Sequence, residues 1–134
     1  MKLCIIGSRS IDKAEVVFPA IDRFIKEHGT GTLTFLLGSA KGVDPLAKKY
    51  AEARGIDVVE FLPYHLLDTS TEFNSKHFFI RTKQMIDNAD RVLALWDTRS
   101  KGTQYGIRYA QKKNLPVMVV KFPLEHSIGL SEEV

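Results

Sequence analysis

Short runs of β-branched residues and leucine alternate along this chain with longer stretches in which apolar residues recur every three or four positions. That alternation predicts βαβ units around a largely parallel sheet. Five runs read as strands: Leu3 to Ile6, Leu33 to Leu37, Val58 to Phe61, Val92 to Trp96 and Val117 to Val120. Most are nearly all apolar, as strands covered on both faces should be. The expected fold is therefore α/β, a Rossmann-like three-layer sandwich with a mostly parallel five-stranded sheet.

Between the strands, helical period predicts four helices. Ile21, Phe24, Ile25 and His28 form one stripe that Gly29 stops, and Pro19 places the regular start near Val16 or Val17, with Ser10 to Glu15 as lead-in. For the second helix, Asp44 reads as the cap, Pro45 as the first helical residue, Leu46, Ala47, Tyr50 and Ala51 as the buried stripe and Gly55 as the stop. The third spans Phe78 to Asn88 with Phe79, Ile80, Met85 and Ile86 inward, and the fourth runs from Thr103 to Asn114, where Lys112 and Lys113 suit the negative end of the dipole and Pro116 forbids continuation. Pro63 to His77 has no clear period and reads as a long loop of the kind that often carries function. The tail from Phe122 to Val134 shows no strong pattern, and no internal repeat or linker divides the chain, so a single domain over 1–134 is expected.

Composition narrows the picture. With 44% hydrophobic and 26% charged residues the chain has the usage of a packed globular domain rather than of a disordered one. The nineteen Lys and Arg are interleaved with sixteen acids for a net charge of +3, a distribution that favours small anions over a nucleic-acid groove. No apolar stretch is long enough to span a bilayer, and Met1 to Gly7 runs straight into a strand rather than resembling a signal peptide, so the cytoplasm is the expected compartment. Cys4, the only cysteine, lies within that strand and reads as a core residue. His28, His65, His77 and His126 are far apart and lack metal-ligand spacing, so neither a metal site nor a cofactor is expected.

Three segments follow a strand, lead into a helix and contain small residues: Gly7-Ser8-Arg9-Ser10, Gly38-Ser39-Ala40-Lys41-Gly42-Val43-Asp44 and Ser100-Lys101-Gly102-Thr103. In an open parallel sheet such loops share the carboxyl edge, where exposed amides at helix amino ends favour phosphate. None has the glycine offsets of the dinucleotide fingerprint or the Gly-Lys-Ser/Thr of a Walker loop.

These segments, together with Ala47, Arg81-Thr82 and Met85, and Ala89-Asp90 before the fourth strand, resemble the SLOG superfamily over nearly the whole chain. The similarity is greatest to its small bacterial YspA-like branch and more distant to the lonely-guy phosphoribohydrolases and DNA-processing protein A. It implies a Rossmann-like fold with a nucleotide-type pocket at these loops. Three departures stand out. Gly38-Ser39-Ala40-Lys41-Gly42-Val43-Asp44 has one glycine fewer than the branch's Ser-Gly-Gly-Ala-x-Gly-Ala-Asp, and Thr82 replaces an asparagine after the arginine. Gln104, Tyr105 and Gly106 stand after Gly102-Thr103 where the phosphoribohydrolases carry their glutamate.

The expected ligand site comprises Gly7, Ser8, Arg9, Gly38, Ser39, Gly42, Asp44, Arg81, Ser100, Gly102 and Thr103. Phosphate is expected on Ser8, Gly102 and Thr103 with Arg9, and ribose near Gly38, Ser39 and Asp44. Each residue also has a plainer role. Arg9 can fork onto phosphate or pair with Asp97; Asp44, Ser100 and Thr103 are ordinary helix-start residues; Arg81 has only the resemblance to set against a solvated surface position. Trp96 can stack on a base or close the core, and Phe78, Phe79 and Tyr64 can form a lid or a homodimer contact. The leading expectation is a binder of a nucleotide-like small molecule, acting as sensor or accessory protein. A nucleotide hydrolase using Asp44, Asp97 or Glu72 is the alternative, and nucleic-acid binding, which needs a clustered basic face, ranks below both.

Overall fold

The computed structural model describes residues 1–29, 31–62 and 76–122. Five strands and four helices alternate among them: β1 (Lys2–Gly7), α1 (Ala14–His28), β2 (Thr34–Leu37), α2 (Val43–Arg54), β3 (Asp57–Glu60), α3 (Lys76–Asp87), β4 (Arg91–Trp96), α4 (Lys101–Lys112) and β5 (Val117–Lys121). The strands form one all-parallel sheet in the order β3-β2-β1-β4-β5. The chain winds outward from β1 in both directions, so β1 and β4 flank the point where the winding reverses.

Side chains of successive strand residues leave opposite faces of a sheet, and β1 shows the consequence directly. Leu3 and Ile5 join Val17, Ile21 and Phe24 of α1 and Val43, Ala47, Tyr50 and Ala51 of α2 in one core. Cys4 and Ile6 join Met85 and Ile86 of α3 and Ile107 and Ala110 of α4 in the other. The expected Rossmann-like sandwich is thus present, with α1 and α2 covering one face and α3 and α4 the other. The edge strand β3 departs from the all-apolar expectation, since Val59 is exposed and Val58 only partly covered. Among the described residues no helix is long and apolar enough to cross a membrane.

Several helix boundaries differ from expectation for identifiable reasons. α1 begins at Ala14 rather than at Val16 or Val17 and carries Pro19 in its interior. Pro19 and Glu15 both face solvent, so the carbonyl that proline leaves without a donor is accessible to water. The N–H groups of Val16 and Val17 both donate to the Lys13 carbonyl at 3.0 Å, which starts the helix without a side-chain cap. Asp44 is not the cap of α2: Gly42 holds that position, Asp44 is the second helical residue and Pro45 the third, still within the turn that tolerates proline. α3 starts two residues early, so Lys76 and His77 belong to it rather than to the loop, and Ile80 points outward while Arg81 and Thr82 face inward. α4 starts at Lys101 behind Ser100 and ends at Lys112, with Asn114 in the left-handed conformation that stops it. Tyr64, His65, Glu72, His126 and the tail beyond Phe122 lie outside the described residues.

Candidate functional site

The loops after β1, β2 and β4 converge because the three strands are neighbours in register and end together. The first is tied to the last: the Ser8 N–H donates to the Leu95 carbonyl at 3.0 Å, and the Asp97 N–H donates to the Ser8 hydroxyl at 3.0 Å. Ser8 is therefore consumed as a strut, its Oγ also lying 3.4 Å from Thr103 Oγ1, and it is buried rather than presented to a ligand. The second loop is tied to the first at Gly42, whose φ is 90° and whose notional Cβ falls 2.9 Å from both the Ser8 and Arg9 carbonyl oxygens. Only glycine meets both constraints. Gly42→Ala should lower stability in urea denaturation by about 1–2 kcal/mol through left-handed strain and backbone crowding; an unchanged midpoint would mean the two loops are not in contact.

A cleft of about 430 Å³ opens between these loops and α3, within the range of small-molecule sites. Its polar wall comprises Arg9, Ser10, Asp44, Arg81, Thr82, Asp97, Ser100 and Thr103, with the backbones of Gly7, Ala40 and Gly102; Ile6, Phe78, Phe79 and Met85 form the apolar wall. Of the residues expected from sequence, Gly7, Arg9, Asp44, Arg81, Ser100, Gly102 and Thr103 come together here. Ser8, Gly38, Ser39 and Gly42 do not line it: Ser8 and Gly42 brace loops, Ser39 faces outward, and Gly38 is covered by Arg81. Ser10, Ala40 and Thr82 line the cleft and were not foreseen. Ser10 and Ala40 lie within loops that the sequence singles out, whereas Thr82 stands out only as the replacement for an asparagine.

The electrostatics are uneven. Asp97 is fully engaged, accepting from the Ser10 hydroxyl at 2.8 Å, the Arg99 N–H at 2.8 Å and the Ser100 N–H at 2.7 Å. Burial pushes its carboxyl up, but the Ser100 and Arg99 amides and the Ser10 and Ser8 hydroxyls outweigh that and hold it below the usual carboxylate range. The same bonds fix Thr98 in the left-handed region with φ of 69°. Arg9 does not pair with Asp97; its guanidinium lies over the Phe78 ring, 5.6 Å from the centroid. Ser100 caps α4 by accepting from the Thr103 N–H at 3.4 Å, and its carbonyl accepts from the Trp96 indole N–H at 3.0 Å. Trp96 packs into the α3/α4 core and is not on the cleft wall, whose aromatic residues are Phe78 and Phe79.

Asp44 and Arg81 occupy the other end. Asp44 turns back from α2 to accept from the Ala40 N–H at 3.0 Å, which folds the second loop over it. Burial pushes its carboxyl up to about 6, further than the Ala40 and Gly38 amides and Arg81 pull it down, with Glu60 adding to the rise. Arg81 is not the solvated surface residue its local pattern allowed: it is 8% exposed. Its guanidinium lies against Gly38, where a Cβ would stand 2.8 Å from Cζ. Nε and Nη1 are buried without a hydrogen-bond partner, and burial lowers the pKa despite the attraction of Asp44. Arginine stays protonated under these conditions, so a buried cation with no direct ion pair among the described residues lines the cleft. Cys4 beneath it is an inert thiol, pushed far up by burial. Among the described residues no group of His, Cys, Asp and Glu could hold a metal ion.

Residues 1–66 match the family model YAcAr, the YspA, cpYpsA-related SLOG family. That segment carries β1 to β3 and the first two loops of the cleft. The X-ray structure of TM1055, a structural genomics target, is similar to this chain with a TM-score of 0.60 and 21% identity over 87% of this chain and 71% of that one. At that identity the likeness speaks for the fold. The crystal structure of LpCGTa in complex with UDP is similar with a TM-score of 0.45 and 14% identity, over 88% of this chain and 30% of the other. That likeness is too loose to bear on the ligand. Among curated proteins, none matches the chain significantly.

Proposed function

We propose, taking as premise that this is a SLOG-superfamily chain of the YspA-like branch, that the protein binds a nucleotide-derived, phosphate-bearing ligand in the cleft at the β1/β4 switch point and acts as a sensor or accessory protein. The observation that carries this reading is Arg81. A buried guanidinium with two orphaned nitrogens costs free energy in the unliganded protein, and an anion seated in the cleft that Arg81 lines offsets that cost through its charge. The amino end of α4 at Ser100, Gly102 and Thr103 offers a second set of groups suited to oxyanions. Phe79, beside Ile6 and Met85, offers an apolar wall to a base.

A thermal-shift panel of nucleoside mono-, di- and triphosphates and dinucleotides tests it. At least one should raise the melting temperature by several degrees, which at a hundredfold excess over Kd corresponds to about 2.7 kcal/mol. Arg9→Ala and Thr103→Val should each reduce that shift. If no nucleotide shifts the wild type, or both variants keep the full shift, the cleft is not the site.

One observation favours a second reading, hydrolysis of the bound nucleotide: Asp44, with its carboxyl raised to about 6, is a group able to give up a proton near neutral pH. Gln104, Tyr105 and Gly106 stand after Gly102-Thr103 where the related phosphoribohydrolases carry their glutamate, which ranks binding first. Release of free base from nucleoside monophosphates, abolished in Asp44→Asn, would replace the binder reading with this one.

A further inference from the structure

We propose that Phe78 is the spacer of a two-arginine clamp that seats one doubly ionised oxyanion, so that the ligand ends in a phosphate monoester rather than a phosphodiester. The inference rests on the ligand reading above and narrows it.

Two guanidinium groups address one ring. Arg9 Cζ lies 5.6 Å and Arg81 Cζ 5.2 Å from the Phe78 centroid, both within the range at which a ring's negative face attracts a cation. The two arginines come from unrelated parts of the chain, the loop after β1 and helix α3, and both line the cleft. They repel one another, since the charge of Arg9 contributes to lowering the pKa of Arg81. A ring that attracts both offsets that repulsion and fixes where each guanidinium stands. Phe78 is therefore a positioning residue, acting on the ligand through the arginines.

Among the described residues neither guanidinium makes a direct ion pair, although Asp44 attracts Arg81 from a distance. Of the carboxylates on the cleft wall, Asp97 is spent on the Ser10 hydroxyl and the amides of Arg99 and Ser100. Asp44 makes its hydrogen bond to the Ala40 amide and is in ion-pair contact with neither arginine among the described residues. Arg81, more than nine-tenths buried, lines this space, and its Nε and Nη1, packed against Gly38, have no hydrogen-bond partner. A phosphodiester brings one charge and two free oxygens, enough for one guanidinium fork. A monoester dianion brings two charges and three terminal oxygens, which matches two forks.

Titration calorimetry at pH 8 with inorganic phosphate, then mainly dianionic, and with dimethyl phosphate, a monoanion, reads the clamp directly. Wild-type protein should bind phosphate at least about tenfold more tightly than dimethyl phosphate, and Arg9→Gln or Arg81→Gln should erase that preference. Phe78→Leu, which keeps an apolar side chain, should weaken phosphate about five- to tenfold with little effect on dimethyl phosphate, and Phe78→Tyr should restore it. Phe78→Met serves if the leucine variant does not fold. Phosphate binding in Phe78→Leu or Phe78→Met equal to wild type, or no preference for phosphate in a wild type that binds nucleotides, overturns the clamp alone. A wild type that binds neither phosphate nor any nucleotide overturns the ligand reading as well.

Discussion

Arg81→Met should make the protein more stable and unable to bind its ligand. At pH 5, where the Asp44 carboxyl is mostly protonated and no longer attracts a cation strongly, the variant should gain about 1–3 kcal/mol, by analogy with the replacement of buried charges by apolar residues of similar shape. For a chain of this size the gain appears as a rise in Tm of several degrees, on the order of 3 °C per kcal/mol. The physical origin is the pair of orphaned nitrogens, Nε and Nη1, held in a site that is 8% exposed. A methionine follows much the same path past Phe78 and Gly38 without bringing a donor that needs a partner. Urea denaturation of the two proteins, paired with the nucleotide thermal-shift panel, checks both halves. Gain of stability with loss of ligand response is the mark of a residue kept for binding. A variant destabilised by several kcal/mol would show instead that Arg81 holds the fold, and the case for an external anion would fail.

The second large effect concerns Asp44 and pH. Its carboxyl ionises near pH 6 in the folded protein and near 3.8 when unfolded, so the native state holds the proton more tightly. The sign follows: between about pH 4 and 6 the native protein carries more bound protons than the unfolded chain, and stability from this group falls as pH rises through that window. The full difference corresponds to about 3 kcal/mol, lost by pH 7. Asp44→Asn cannot ionise, yet its side-chain carbonyl can still accept from the Ala40 N–H. The variant should therefore match the wild type near pH 4 and exceed it by about 1–3 kcal/mol at pH 8, with a flatter profile between. Denaturation midpoints measured across that range decide the matter. Parallel profiles in the two proteins would place the titration elsewhere, and lower stability of Asp44→Asn at pH 8 would mean that the ionised carboxylate is needed by Arg81.

Both predictions concern residues whose roles were only partly legible. The strands declared themselves, because runs such as Leu3 to Ile6 and Val92 to Trp96 are too apolar to face water on either side, and the intervening helical stripes left a parallel sheet as the economical solution. The loops at its carboxyl edge were legible too, since Gly7, Gly42 and Gly102 follow strands and precede helices. The registers of the helices are less legible. Pro19 suggested a late start for α1 because sequence does not say whether the carbonyl it orphans faces solvent. Ile80 suggested the wrong inward face for α3 because the apolar signal there is shared among Phe78, Phe79 and Ile80, and a helix can turn only one of those faces to the sheet.

What the sequence determined by itself is the architecture and the edge at which a ligand would sit, because both follow from short-range periodicity and from glycines placed after strands. What only the tertiary structure decided is which polar groups at that edge are free. Ser8, expected to hold phosphate, spends its hydroxyl on Asp97 and Thr103, residues about ninety positions away. Arg81, for which the local pattern allows a surface position, is carried by α3 over Gly38 and buried with Nε and Nη1 lacking a hydrogen-bond partner. Whether a hydroxyl or a guanidinium is satisfied depends on groups contributed by other segments of the chain. A one-dimensional pattern carries no record of those contacts.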